Sequence, residues 1–359
     1  MKKIVIIAGD HSGDIYGGRL AQALKTKYPG VEIYSFAGEN LAKHSTQVID
    51  LMAHSVMGLV EVISSLKRIT AIFNQTVAEI NKIKPDLVIP IDFPDFNLRL
   101  IKKLNKQYPV FYYVSPQVWA WREARVKQIR QYTDRMIVLF RFEEEFYQKH
   151  AIAALYFGHP LLDTLQNSKP KAKNIITFMP GSRKAEIKRH LPLMLAVKNM
   201  LEKKLSGYQF RVIRPHNIAP EFYASFNAGM EIVERENKYL EESRFVICCS
   251  GTATLELAIL GIPYLIVYKT NQLTWAIAKL LVKVKFAGIV NILSGKKVVE
   301  EFLQNDATAE NIAQYTYNIL TNTQDYSALK EELNKTRALL LPYGHTASLA
   351  QYIGKFLGL

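Results

Sequence analysis

The chain has 359 residues, 46 Lys and Arg against 32 Asp and Glu, and a formal net charge of +14 with neutral histidines. With 49% hydrophobic and 22% charged residues it has an ordinary globular composition, which excludes disordered, collagen-like and disulfide-scaffold classes. At roughly 150 residues per domain, the length implies two domains, each able to bury a core.

The only cysteines, Cys248 and Cys249, are adjacent in an apolar run; they read as buried thiols of a reducing compartment, not as a metal or disulfide framework. The apolar stretch after Met1-Lys2-Lys3 lasts only from Ile4 to Ala8, too short for a signal-peptide core. No apolar run approaches membrane-spanning length.

In chain order, Ile4 to Ala8 is a β-branched run that enters the glycine-containing loop Gly9-Asp10-His11-Ser12-Gly13-Asp14. A helical spacing of Ile15, Leu20, Ala21 and Leu24 follows, so this is strand, loop and helix. Further strands are expected at Val31–Ala37, Leu87–Ile91, Val110–Val114, Met136–Phe140 and Leu155–Phe157. The polar stretch Gln166 to Lys173 reads as a linker. Alternation resumes with Ile175–Met179, Phe210–Ile213, Phe245–Cys249 and Tyr264–Tyr268, and from Lys297 the chain reads as mainly helical. The fold class is therefore α/β: two Rossmann-like parallel-sheet domains facing across a cleft, with the ligand beyond the carboxyl ends of the strands. The boundaries expected are 1–165, 172–340, and a C-terminal helical segment 341–359.

The first loop is not G-x-G-x-x-G, and no acidic residue closes the second strand, so a nicotinamide enzyme is not indicated. Ser12 and Gly13 are candidate ligand contacts; the plainer reading is a turn in which Ser12 or Asp14 caps a helix. Ile91-Asp92-Phe93-Pro94-Asp95-Phe96-Asn97 places two carboxylates just past a strand. Asp92, flanked by Ile91 and Phe93, has the partly desolvated setting of a general base, and Asp95 is a second candidate unless it only caps the next helix. No Asp-x-Asp occurs in the chain, which argues against an obligatory metal, and no cofactor is expected.

Gly181, Ser182 and Arg183, after the strand ending at Met179, suit a phosphate or diphosphate. Ser250-Gly251-Thr252-Ala253-Thr254-Leu255-Glu256 joins a buried strand to a helix near Thr252, where backbone N–H groups and the helix dipole attract an anion. Ser250, Gly251, Thr252 and Thr254 are candidates there, and Glu256 is placed to accept from a ribose hydroxyl. A carboxylate in one half and diphosphate holders in the other suit a nucleotide-sugar transferase.

In the segment Val114 to Arg122, core packing is the plainer reading of Trp119 and Trp121; Trp121 and Arg122 are candidate substrate contacts, and Arg122 and Arg125 are placed to face an acidic ligand. Leu59, Val62, Ile63, Leu66 and Ile69 share one helical face beside Lys67 and Arg68, a pattern fitting either a core helix or an anionic membrane surface. The basic residues are otherwise dispersed without a recognition motif, so no nucleic-acid partner is expected.

Taken together and in order, the Gly9–Asp14 loop, Val56–Val62, Ile91–Asn97, Val114–Arg122, Gly158-His159-Pro160, Pro180–Arg183 and Ser250–Ala253 resemble the lipid-A-disaccharide synthase family over nearly the whole chain. The resemblance implies a GT-B glycosyltransferase of a Gram-negative bacterium. Its reaction joins UDP-2,3-diacylglucosamine to 2,3-diacylglucosamine 1-phosphate (lipid X), giving the β(1′→6) disaccharide 1-phosphate and UDP. It implies Asp92 as the base, Arg183 as phosphate holder, Ser250 to Glu256 and Asn291 as UDP contacts, and the Val60 to Ile69 stripe (Val60, Val62, Ile63, Leu66, Ile69) as contact with the cytoplasmic face of the inner membrane. Asp10 stands where the family usually has Glu. The segment from Leu341 matches poorly; it either returns to the N-terminal domain or is exchanged in a homodimer. Two other classes fit the residues: another GT-B enzyme, such as a UDP-sugar 2-epimerase, and a binding protein without turnover.

Overall fold

A computed structural model describes residues 1–55, 62–226, 229–272, 275 and 284–359. They form two compact units, Met1–Asp163 with Leu341–Leu359, and Thr164–Leu340. In the first, β1 (Lys3–Ala8), β2 (Glu32–Phe36), β3 (Thr46–Ile49), β4 (Leu87–Ile91), β5 (Phe111–Tyr113), β6 (Arg135–Val138) and β7 (Ala154–Tyr156) make a sheet in the order β3-β2-β1-β4-β5-β6-β7. Every pairing is parallel. In the second, β8 (Ile175–Met179), β9 (Gln209–Arg214), β10 (Glu231–Glu234), β11 (Phe245–Cys249), β12 (Tyr264–Tyr268) and β13 (Glu301–Leu303) run β10-β9-β8-β11-β12-β13, also wholly parallel.

Parallel strands need crossovers that cover both faces, so central strands become continuous apolar runs. β4, β8 and β11 are buried at every residue. Pro90 has no N–H to give to a neighbour, and β4 pairs with β5 only at Ile91↔Tyr113, with a separate bridge at Val88↔Val110. The sequence reading missed β3, β10 and β13. All three are short edge strands with exposed or half-buried residues, and β13 interrupts the region expected to be helical.

The C-terminal helix His345–Leu357 lies on the first sheet, where Leu349, Ala350, Ile353 and Leu357 share a core with Ile4, Ile6, Leu20 and Leu24. His345 locks it in place: Nδ1 donates to the Gly158 carbonyl at 2.7 Å, and Nε2 accepts from the Tyr113 hydroxyl at 2.9 Å. Burial pushes its pKa down to about 4, so the ring is neutral, as one donor and one acceptor require. Asp163 Oδ1 accepts from Gly344 N at 2.6 Å. Gly158, at φ +90°, leaves no room for a side chain, since a Cβ would stand 1.8 Å from the Pro342 carbonyl oxygen.

Candidate active site

In a doubly wound sheet, ligands collect where the strand order reverses, beyond the carboxyl ends of the two strands on either side. The reversal in the first unit falls between β1 and β4, and in the second between β8 and β11. The loops that follow these four strands are Gly9–Asp10, Asp92–Phe93, Pro180–Arg183 and Ser250–Gly251, the same four that carry the sequence motifs.

The turn after β4 is strained. Asp92 and Phe93 are both left-handed, at φ +41° and +46°, a conformation that costs about 1–2 kcal/mol per residue for L side chains. Three hydrogen bonds hold it. Asn97 Nδ2 donates to the carbonyls of Ile91 at 3.1 Å and Asp92 at 2.8 Å, and the Tyr112 hydroxyl donates to the Asp92 carbonyl at 2.6 Å. Phe93 lies against Gly9, where a Cβ would sit 2.2 Å from its ring, and stacks on Phe96 at 5.5 Å. The strained turn keeps the Asp92 carboxylate in a mostly desolvated place. Its pKa is pushed up to about 7, first by burial and then by the charge of Asp10, against a stabilising hydrogen bond from Phe93 N–H.

Asp10 is the cap of the helix His11–Lys27, its Oδ1 accepting from Gly13 N at 2.8 Å. This corrects the expectation that Ser12 or Asp14 caps it. Ser12 is exposed and Gly13 buried. Asp14 is buried and holds the start of the short helix Glu39–Ala42, accepting from Asn40 N at 3.0 Å, Asn40 Nδ2 at 2.9 Å and Leu41 N at 3.2 Å.

In the second unit, Gly181 takes φ +129°, and Arg183 opens the helix Lys184–Glu202 with its side chain 82% exposed. Glu186 folds back over this loop: Oε2 accepts from Ser182 N at 2.9 Å and Arg183 N at 3.3 Å, and Oε1 lies 3.3 Å from Arg183 Nη1. A carboxylate thus already occupies the donors that would serve a phosphate. His190 braces the loop from beneath, Nδ1 donating to the Pro180 carbonyl at 3.1 Å and Nε2 accepting from Lys269 N at 2.9 Å. Burial lowers its pKa, which favours the neutral form that this pairing uses.

Gly251 precedes the helix Thr252–Leu260, which has no side-chain cap and no acidic residue in its first turn. Gly251 and Thr252 are exposed and Ser250 is half-buried; a helix start of this kind offers its N–H groups to an external anion. Thr254 is buried, its hydroxyl donating to the Gly251 carbonyl at 2.7 Å, so it shapes the loop from inside. Glu256 is held in an ion pair with Arg235.

Asn291 requires a correction. It is fully buried, and its amide is engaged on both sides. Nδ2 donates to the Val299 carbonyl at 2.9 Å and Glu301 Oε1 at 2.7 Å, while Oδ1 accepts from Val298 N at 2.7 Å and Val299 N at 2.9 Å. With its hydrogen-bonding capacity spent inside the domain, Asn291 acts as a clamp on the segment entering β13 and does not present its amide to a ligand.

The aromatic segment after β5 is organised by a residue that the sequence reading missed. Glu143 is 2% exposed. Its carboxylate accepts from Trp119 Nε1 at 3.0 Å and from the N–H groups of Leu139 and Phe140, each at 3.1 Å. Burial pushes its pKa up to about 7 despite these donors. Beside it, the Ser115 and Tyr147 hydroxyls lie 2.8 Å apart, and Trp119 packs edge-on against Phe142 at 4.9 Å. Two more left-handed residues, Val114 at φ +63° and Arg122 at φ +56°, bracket the segment. Trp121 and Arg122 are exposed at its tip, with Asp95, itself exposed, paired to Arg122 and Arg125. The sequence signal for Glu143 was an acid at the third helical position after an apolar strand.

Of the expected membrane stripe, Val60 lies outside the described residues. Val62, Ile63 and Leu66 are on the helix Val62–Ile83, with side chains outside the described set, and Ile69 is 49% exposed. No helix among the described residues is long and apolar enough to cross a membrane. A surface depression of about 650 Å³ lined by Lys2, Lys27, Tyr28 and Asp86 lies at the amino ends of β1 and β4, the edge opposite Asp92.

Two parallel-sheet Rossmann-like domains are the architecture of the GT-B class. Solved structures share the fold. A UDP-GlcNAc 2-epimerase from Neisseria meningitidis bound to UDP-GlcNAc has a TM-score of 0.62 at 14% identity, over 99% of each chain. The spinosyn rhamnosyltransferase SpnG complexed with thymidine diphosphate has 0.62 at 14%, over 98% of this chain and 100% of that one. The family model for lipid-A-disaccharide synthetase matches residues 4–349, and a lipid-A-disaccharide synthase of Syntrophus aciditrophicus is 36% identical over 94% of this chain and 93% of its own. The chain belongs to the lipid-A-disaccharide synthetase family, and is a glycosyltransferase.

Proposed function

We propose that this glycosyltransferase forms the lipid A disaccharide by transferring 2,3-diacylglucosamine from its UDP conjugate to the 6-hydroxyl of 2,3-diacylglucosamine 1-phosphate, with inversion at the anomeric carbon. The observation that carries the reading is Asp92, a carboxylate in a strained turn at the reversal point with a pKa of about 7. A base of that pKa is half-ionised near neutral pH and has enough proton affinity to assist a sugar hydroxyl.

In the reaction the acceptor O6 attacks the donor's anomeric carbon as its proton passes to Asp92. The new C–O bond forms opposite the bond to the β-phosphate oxygen of UDP, which leaves with the electron pair. One base and one displacement convert an α-linked donor into a β-glycoside. Negative charge grows on the departing diphosphate, where Ser182 and Arg183, the backbone of Gly181, and the first turn at Ser250, Gly251 and Thr252 offer donors and positive charge. To reach them the diphosphate displaces the Glu186 carboxylate from the Ser182 and Arg183 N–H groups. Glu256, poised by Arg235, accepts from the ribose. The acyl chains lie against the membrane at the Val60 to Ile69 stripe, in a peripheral attachment to the cytoplasmic face of the inner membrane.

The test is incubation of the purified chain, with EDTA present, with UDP-2,3-diacylglucosamine and 2,3-diacylglucosamine 1-phosphate. The tetraacyl disaccharide 1-phosphate is expected by mass spectrometry. Absence of product from both lipids in detergent and in vesicles overturns the substrate assignment. The epimerase alternative is opposed by the family match, which separates two activities that share this fold.

A further inference from the structure

Beside the Asp92 turn stands a cluster of charge whose occupant the fold itself supplies. Asp95, on the first turn of the helix Pro94–Leu104, keeps 70% of its side chain exposed, yet a single oxygen, Oδ1, contacts both Arg122 Nη1 at 3.3 Å and Arg125 Nη2. Two guanidinium groups carry ten N–H donors between them, and one carboxylate oxygen engages only two. The cluster also keeps a net positive charge.

The arginines are not loose surface groups. Arg122 is left-handed at φ +56°, and its guanidinium lies 4.2 Å over the Trp121 ring. Two residues earlier, Trp119 is tied to the buried Glu143 at 3.0 Å. Arg125 closes the short helical turn Glu123–Arg125 and is only 23% exposed. A stacked, backbone-fixed pair of forks carrying a displaceable single oxygen suits a group with several acceptor oxygens and two negative charges, which a phosphomonoester has and a diester lacks.

We propose that Arg122 and Arg125 form the subsite for the phosphomonoester of the acceptor sugar, and that Asp95 occupies it until the acceptor displaces it. This deepens the proposed function and rests on it. The reacting hydroxyl is carried on C6 from ring carbon C5 and the phosphate on C1, and both ring carbons flank the ring oxygen, so base and phosphate holder must lie within about one sugar of each other. Asp92 and Asp95 are three residues apart in the chain, which bounds their Cα separation at about 11 Å. The Glu143–Trp119 hydrogen bond positions the platform and does not touch the substrate.

The experiment compares Arg122→Gln, Arg125→Gln and Asp95→Asn with the wild type and with the exposed control Arg130→Gln, using the acceptor lipid with and without its phosphate. Arg122→Gln and Arg125→Gln are expected to raise KM for the phosphorylated acceptor about tenfold or more, the scale of a lost charged hydrogen bond. KM for the UDP-sugar and the turnover of the dephosphorylated acceptor stay at wild-type values. Asp95→Asn removes the competitor and lowers KM for the phosphorylated acceptor. An equal loss on both acceptors, or a rise confined to the donor's KM, overturns the subsite.

Binding of glucosamine 1-phosphate, followed by phosphorus NMR and by tryptophan fluorescence, separates the two readings. If the wild type forms no disaccharide but binds this probe and Arg122→Gln does not, the proposed reaction falls and the subsite stands. If disaccharide forms while the probe binds equally to wild type and Arg122→Gln, the subsite falls and the reaction stands.

Discussion

Replacing Asp10 by asparagine separates the two causes that hold Asp92 at a pKa of about 7. The amide oxygen of asparagine still accepts from Gly13 N, so the helix keeps its cap, while the negative charge facing Asp92 is removed. Burial ranks ahead of Asp10 in raising Asp92 from an ordinary 3.8 to about 7, so removing the Asp10 charge takes away the smaller of the two raising causes and leaves the larger in place. The acid limb of kcat/KM, which reports the base before the acceptor binds, should therefore move down by about one pH unit. At 1.36 kcal/mol per pH unit this is a change of about 1–2 kcal/mol in the cost of ionising Asp92. The plateau rate should fall a few-fold, because a weaker base assists proton removal less. The assay is kcat/KM for the acceptor from pH 5 to 9 with donor saturating. An acid limb that stays in place, or moves upward, refutes both the identity of the base and the role of Asp10.

Asp92→Asn should lower turnover by about 100-fold or more and at the same time stabilise the chain. Because the folded pKa of about 7 exceeds the unfolded one, wild-type stability falls as pH rises from about 4 to 7, so the variant's advantage should grow over that window to about 2–4 kcal/mol by pH 8, read from urea midpoints. Gly9→Ala places a methyl group 2.2 Å from the Phe93 ring and should cost about 1–3 kcal/mol, with a loss of kcat exceeding that of Tyr112→Phe, whose missing hydrogen bond to the Asp92 carbonyl is worth about 1 kcal/mol. His345, whose pKa of about 4 lies below the unfolded value of 6.5, contributes stability that is complete above pH 6.5 and is lost as pH falls toward 4. Hydrogen exchange should show the helix His345–Leu357 losing protection over that range in the wild type, and already at pH 7 in His345→Ala.

The parts of the fold that a sequence states clearly are those where burial leaves no choice. β4, β8, β11 and β12 coincide with the apolar runs that announce them, because parallel strands covered on both faces admit little else. β3, β10 and β13 stand at sheet edges, with one flank unpaired, and Thr46, Gln47, Glu231 and Glu234 carry no apolar signature. The placing of Asp92 and Arg183 just past the carboxyl ends of β4 and β8 was legible because the apolar runs before them end there. The coupling of Asp10 to Asp92 was not legible, since it depends on β1 and β4, distant in the chain, lying side by side with Ala8 opposite Ile91. Asn291 shows the converse: a motif position fixes identity but not direction, and only the neighbouring Val298, Val299 and Glu301 reveal that its amide points inward.

The helix His345–Leu357 has a consequence for the order of assembly. It completes a core begun by Ile4 and Ile6, and the ribosome makes it only after the whole of Thr164–Leu340. The second domain can therefore close its own core during synthesis, while the first waits with one face of its sheet only partly covered, by the helix His11–Lys27, until the helix His345–Leu357 emerges. Contacts of such sequence separation form slowly, and an apolar sheet face left partly open meanwhile is a surface for chaperones or for another nascent copy. The domain made first is thus the one finished last.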